Sequence, residues 1–318
     1  MLIDLTLMTL GIALLIMGSN YFVNGVASIA QILNIPIIVI GLTIVAFATS
    51  APEILVSIVA ALNNESDLAV GNAVGSNTAN IGLVLGVMAS IKPISIDSKV
   101  HKKLMILLLL VSLSMILPFW DNTISLFEGR FILLAFLLVM SWLIRFSLKI
   151  HNEGNKTKEL PDSDYNIYSA PKAIIMLIIG LTVLTFGANL VVENAIKIAE
   201  ILGVSQTIIG ITLVAIGTSL PELSVSITSA IKGEYGLAIG NIIGSNIFNL
   251  LAVIGIATSI KEAILPNNIL SVHLMVMLIL TLMIFIVTFR KNNILKRYEG
   301  FSLLIMFCSY LTYIIFQS

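Results

Sequence analysis

The sequence predicts an all-α polytopic membrane protein: ten transmembrane helices in two inverted five-helix repeats, with broken helices at the membrane midplane. Three observations carry that expectation. The 318-residue chain is 58% hydrophobic and only 11% charged. Its apolar runs reach spanning length about ten times. One long stretch occurs twice.

Composition sets the class. A soluble domain carries about 25% charged residues. At 11% charged and a mean hydropathy of +1.06, this chain cannot cover a water-facing surface, so the lipid bilayer is its expected surroundings. The net charge of zero gives no reason to expect a nucleic-acid partner. A single cysteine, Cys308, excludes an internal disulfide framework. The opening "MLIDLTLMTLGIALLIMG" is apolar but lacks a basic leading region. It reads as a retained first span, not a cleaved signal.

The apolar runs fall at roughly 3–31, 37–62, 68–91, 102–119, 124–148, 171–202, 206–231, 237–260, 268–289 and 300–316. One sizeable polar segment, "HNEGNKTKELPDSDYNIYSAPK" at 151–172, interrupts them. The expected organisation is a five-helix repeat over 1–150, a linker over 151–170 and a second five-helix repeat over 171–318.

Basic residues orient the spans. The connections after spans 3, 5, 7 and 9, with their flanking helix ends, hold fourteen Lys and Arg, from Lys92 to Arg297. The opposite side holds three: Arg130, Lys197 and Lys261. This bias places the linker in the cytoplasm and both termini outside a cell membrane.

Residues 41–86 and 210–255 align without a gap at an offset of 169, and about half of the positions are identical. The offset also pairs Gly11 with Gly180 and Gly18 with Gly187. The chain therefore reads as two homologous halves. Five spans per half is an odd number, so the second half enters the membrane from the opposite side. Inverted repeats of this kind are typical of secondary transporters, with the site at the midplane.

The preserved positions carry the chemistry. They are Thr49, Ser50, Pro52, Glu53, Gly71, Asn72, Gly75, Ser76, Asn77 and Asn80 in the first copy. In the second they are Thr218, Ser219, Pro221, Glu222, Gly240, Asn241, Gly244, Ser245, Asn246 and Asn249. A carboxylate at the bilayer centre costs ~3 kcal/mol on insertion scales, so its repetition calls for a function. Thr49, Ser50 and Glu53 share a helix face, and Asn72, Ser76 and Asn80 form an i, i+4, i+8 stripe. Gly71 and Gly75 have the spacing that lets helices approach closely. Pro52 and Pro221 remove the helical donors of the Ala48 and Gly217 carbonyls. Hydroxyls, amide oxygens, carbonyls and two carboxylates make an all-oxygen site, which suits a hard cation such as Ca²⁺. Glu53 and Glu222 match the charge of one divalent ion or two monovalent ions. The histidines, His101, His151 and His273, lie outside the motifs. Glu193 and Lys197, at i, i+4, read as a local ion pair.

The paired "ATSAPE…GNAVGSNTANIG" and "GTSLPE…GNIIGSNIFNLL" resemble the two alpha repeats of the cation/calcium exchanger superfamily, over essentially the whole chain. The resemblance implies a secondary antiporter that exports Ca²⁺ in exchange for Na⁺ by alternating access, with H⁺ as the alternative counter-ion. It implies Glu53 and Glu222 as the main Ca²⁺ ligands, surrounded by Thr49, Thr218, Ser50, Ser219, Ser76, Ser245, Asn80 and Asn249 and the backbone oxygens of Ala46 and Ala215. It also suggests that the long first and sixth spans slide against the rest. Two positions depart from the family pattern. Ala48 stands where Gly is usual, and Asn249 stands where some members carry Asp, which leaves the counter-ion open.

Other classes are weaker. A cation channel needs a continuous pore, which two halves meeting at a midplane site do not suggest. An enzyme is not expected: no H-E-x-x-H motif exists, and no His neighbours the repeated serines. No cofactor is expected beyond the transported ions, and a monomer is expected to suffice.

Overall fold

Thirty-two residues with no proline form the first helix, α1 (Leu2–Leu33). It ends where Asn34 turns left-handed (φ 53°) and donates its N–H back to Ala30 and Gln31, two residues ahead of Pro36. The computed structural model describes residues 1–96, 99–152, 168–204, 215–267, 269–291 and 293–317. After α1 come α2 (Ile37–Thr49), α3 (Ala51–Leu62), α4 (Ser66–Ile91), α5 (Lys99–Ser114) and α6 (Leu126–Asn152). The second half holds α7 (Ala170–Ile201), α8 (Ala215–Thr218), α9 (Leu220–Ile231), α10 (Tyr235–Ile260), α11 (Ile269–Phe289) and α12 (Arg297–Gln317).

This is an all-helical polytopic membrane fold. Seven of the described helices are long and apolar enough to cross a membrane, or eight if the bent pair α2–α3 counts as one span. At 16 and 12 residues, α5 and α9 are shorter. Most of the expected linker and the start of the expected span at 206–231 lie outside the described residues.

Local structure repeats along with the sequence. The helices α3 and α9 each have 12 residues, and Ser50 and Ser219 ahead of them share the backbone angles φ −86°, ψ 2°. Lys92 and Lys261, after α4 and α10, are extended at φ −145° and −144°. Two-residue strands follow: β1 (Ile94–Ser95), β2 (Thr123–Ile124), β3 (Ala263–Ile264) and β4 (Ile294–Leu295). Each pairs antiparallel with a strand of the other half, β1 with β4 and β2 with β3.

The chain forms two compact units. The first comprises Met1–Thr49, Ile150–Asn241 and Cys308–Ser318; the second comprises Ser50–Lys149 and Ile242–Phe307.

In the first unit α1 and α7 run antiparallel in close contact. Gly11 lies against Gly187, Gly18 against Gly180 and Gly25 against Ala173. The spacing is seven residues, about two turns, so the small residues form a stripe on each helix. A Cβ at Gly18 would sit 2.6 Å from the Leu184 nitrogen. Around this seam Phe22, Val26, Ile37, Val45, Leu184, Val225 and Leu237 bury a core that joins α1, α2, α7, α9 and α10. Lys232, just past α9, donates to Asn24 Oδ1 of α1 at 2.6 Å. Burial holds its pKa below the ordinary 10.5.

In the second unit other glycines allow close packing: Gly82 on Phe307, Gly255 on Leu133 and Gly300 on Ser90. Phe136 meets Phe248 edge-on at 5.1 Å. At the start of α12, Arg290 Nη1 reaches Glu299 Oε1 at 2.6 Å. The glutamate side chain also accepts the Lys296 N–H at 2.8 Å.

Gly71 and Gly75 meet no atom of the described residues within 4 Å of where a Cβ would stand. Close approaches among those residues are made at α1–α7, and by Gly240 against the Ile38 carbonyl. One local expectation fails. Glu193 and Lys197 form no ion pair of the kind that joins Met1 to Asp4 and Arg290 to Glu299. Both side chains are exposed, and an exposed i, i+4 pair gains too little to hold one geometry.

Candidate functional site

The break in the first repeat falls at Ser50. One helix ends at Thr49, another begins at Ala51, and the pair bends by 43°. Pro52 therefore sits in the first turn of α3, where a missing N–H costs nothing because that turn has no intrahelical acceptor for it. The sequence predicts a broken helix here, with the Ala48 carbonyl losing its donor. The structure puts the break at Ser50 and restarts the helix around the proline. Pro221 does the same in the first turn of α9, after Ser219.

This restart fixes the place of the carboxylates. Glu53 and Glu222 each lie in the first turn of their helix, and both are fully buried. A helix N-terminus favours negative charge by about 0.3–1 kcal/mol, up to about 2 in partly buried geometry. Burying an ion costs several kcal/mol. The dipole therefore offsets only part of the cost. Residues 41–86 contain no Lys, Arg or His, so the first repeat motif supplies no basic side chain to Glu53.

The second unit carries Ser50, Glu53, Ser76, Asn80, Ser245 and Asn249. There α3 packs against the Ser66–Ala79 part of α4 and against the Phe248–Val253 part of α10, and these two parts pack on each other. Asn80 opens a π-helical stretch, Asn80–Leu85, and Asn249 lies in another, Phe248–Val253. Such stretches interrupt the regular ladder and recur at functional sites. Ser76, Asn80, Ser245 and Asn249 are all buried. Neither amide atom of Asn80 or Asn249 has a hydrogen-bond partner among the described residues. An unsatisfied buried amide costs about 1–3 kcal/mol, which a bound cation or water offsets.

The first unit carries Ala46, Thr49, Ala215, Thr218, Ser219 and Glu222. The helix α9 packs against Ala46–Thr49 and against α1. Thr49 and Ser219 are buried, and Thr218 is half-buried. Ala215 opens α8. The Ser219 hydroxyl has no hydrogen-bond partner among the described residues. Thr49 Oγ1 donates to Asn241 Oδ1 at 3.1 Å, with the Ala46 carbonyl 3.4 Å away.

Two buried polar residues join this picture from outside the expected ligand set. Asn241 donates to Ser226 Oγ at 3.1 Å. Asn241 is one of the repeated residues. Ser226 is matched by Ser57 at the repeat offset, and that identity is the signal in the sequence that points to it. No group of three or more His, Cys, Asp or Glu exists among the described residues. Any cation held here would meet single carboxylates with neutral oxygens, a hard-ion donor set.

Residues 3–145 and 172–316 match the profile of the sodium/calcium exchanger protein family. The chain is 39% identical to the putative antiporter CaxA of Alkalimonas amylolytica over the full length of both. It is 31% identical to the sodium/calcium exchanger MaX1 of Methanosarcina acetivorans, with 97% of each chain covered. The inner membrane protein YrbG of Escherichia coli is 33% identical over 92% of this chain and 90% of its own. The solved sodium-calcium exchanger NCX_Mj superposes with a TM-score of 0.82 at 33% identity, covering 98% of each chain.

Proposed function

Because the chain belongs to the sodium/calcium exchanger family, we propose that it is a secondary antiporter that exports Ca²⁺ from the cytoplasm in exchange for Na⁺ by alternating access. The observation that carries this reading is the doubled carboxylate. Glu53 and Glu222 are both buried in the first turn of a 12-residue helix that restarts after a serine of the same backbone geometry. Both serve the transported cation. Thr49, Thr218, Ser50, Ser219, Ser76, Ser245, Asn80 and Asn249 and the carbonyls of Ala46 and Ala215 complete the ligand set.

The proposed architecture is ten spans in two inverted halves, 1–150 and 171–318, with the linker cytoplasmic and both termini outside the cell membrane. Three observations support it. The matching helices α1 and α7 run antiparallel, and their glycine contacts are reciprocal. The strands pair β1 with β4 and β2 with β3. Asn77 bonds to its own repeat counterpart, Asn246.

Ca²⁺ and Na⁺ compete for the same oxygens, so one excludes the other. A site holding two bare buried carboxylates resists the change of access, and that couples the fluxes. If more than two Na⁺ replace each Ca²⁺, each cycle moves net charge, worth about 2.3 kcal/mol per charge per 100 mV. The second reading is H⁺ coupling, since the same two glutamates can take up protons in place of Ca²⁺. Purified protein in liposomes decides the matter. Uptake of ⁴⁵Ca²⁺ driven by an outward Na⁺ gradient is expected. Uptake driven only by an outward H⁺ gradient would select the second reading, and Ca²⁺ flux with no counter-ion gradient would indicate a channel and overturn both.

A further inference from the structure

Asn241 lies outside the proposed ligand set, yet it holds one member of that set. Its Oδ1 accepts the Thr49 hydroxyl proton, and its Nδ2 donates to Ser226 Oγ, both at 3.1 Å. All three side chains are buried, and all belong to the first unit. Thr49 closes α2, and Ser226 stands one turn beyond Glu222 on α9. Asn241 follows Gly240, whose missing Cβ lets α10 lie against the Ile38 carbonyl of α2.

The direction of the two bonds matters. An amide has one donor end and one acceptor end. Ser226 takes the NH₂ end, so the C=O end faces Thr49. A hydroxyl has a single proton. Thr49 has a second acceptor within reach, the Ala46 carbonyl at 3.4 Å, but Asn241 Oδ1 is closer. With its proton committed to Asn241, the Thr49 oxygen meets a cation with lone pairs. A proton turned toward the cation would repel it. The arrangement is not a default of the repeat. Ser57 Oγ and Asn72 Nδ2, the counterparts of Ser226 and Asn241, have no hydrogen-bond partner among the described residues.

We propose that Asn241, oriented by Ser226, is a positioning residue that sets the Thr49 hydroxyl as an acceptor for the transported cation. The proposal rests on Thr49 and Ala46 being ligands, as read above. Partners that orient metal ligands typically cost 10–100-fold in affinity when removed.

The test is a double-mutant cycle on the full chain in proteoliposomes. It reads the Ca²⁺ concentration for half-maximal Na⁺-driven uptake, with melting temperature as the folding control. Asn241→Ala and Ser226→Ala are each expected to raise that concentration about 10-fold. Thr49→Val should also raise it, and Asn241→Ala should then add nothing, because the hydroxyl it orients is gone. Should Asn241→Ala fail to fold, Ser226→Ala completes the same cycle with Thr49→Val. A wild-type half-saturation in Asn241→Ala or Ser226→Ala, or effects that multiply in the double variant, would overturn the proposal while leaving the exchanger reading intact. Absence of Ca²⁺ exchange by the wild-type chain would overturn both.

Discussion

Asn77 donates its side-chain amide to the main-chain carbonyl of Asn246 at 3.0 Å, and the two residues stand one repeat length apart. Matching positions can touch in this way only where the two copies face each other. The bond joins α4 to α10 inside the second unit. Side-chain hydrogen bonds between membrane helices contribute about 0.6 kcal/mol on average and up to about 1.7. Asn77→Ala should therefore lower thermal stability in detergent by about 1 kcal/mol. A melting temperature equal to wild type would mean that the bond contributes nothing.

The two glutamates should not substitute for each other. Glutamine keeps the shape and removes the charge, so Glu53→Gln and Glu222→Gln should each abolish gradient-driven ⁴⁵Ca²⁺ uptake while leaving the fold intact. The charge then matters more than the volume, because a neutral amide binds a divalent cation far more weakly than a carboxylate does. Retained uptake by either variant would sink the ligand assignment.

The glycines should separate into two groups. At Gly18 a methyl group would meet the Leu184 backbone at 2.6 Å. Backbone cannot swing aside as a side chain can, so Gly18→Ala should destabilise by about 1–3 kcal/mol. Gly75 lies within a helix, and no atom of the described residues comes within 4 Å of where its Cβ would stand. Gly75→Ala should be neutral or stabilising by up to about 1 kcal/mol, from helix propensity alone. Melting curves of the two variants check the contrast, and equal losses would refute it.

Asn249 offers a test of the ligand set. Aspartate there would add a third buried carboxyl to the proposed ligands. A carboxylate is a stronger ligand for a hard divalent cation than a neutral amide. Asn249→Asp should therefore shift the Ca²⁺ concentration for half-maximal uptake away from the wild-type value. An unchanged half-saturation would exclude a role for this position in cation binding.

Much of this protein was legible in its sequence, for a physical reason. Lipid tolerates few polar groups, so Glu53, Glu222, Pro52, Pro221 and the repeated Ser and Asn stand out against an apolar background. The membrane class, the doubled motif and the hard-ion chemistry all follow from that contrast. Tertiary structure decided what short-range pattern cannot encode. The helix restarts at Ala51, so the break falls at Ser50 and Pro52 lies in the first turn of a new helix. Asn80 and Asn249 fall on π-helical stretches, which have no signature of residue type. Gly71 and Gly75 have the spacing of a packing seam but meet no described residue, whereas Gly11, Gly18 and Gly25 find a neighbour in α7. Spacing shows which face of a helix is small or polar. Only the folded chain determines what lies opposite, and so it alone brings Asn241 between Thr49 and Ser226.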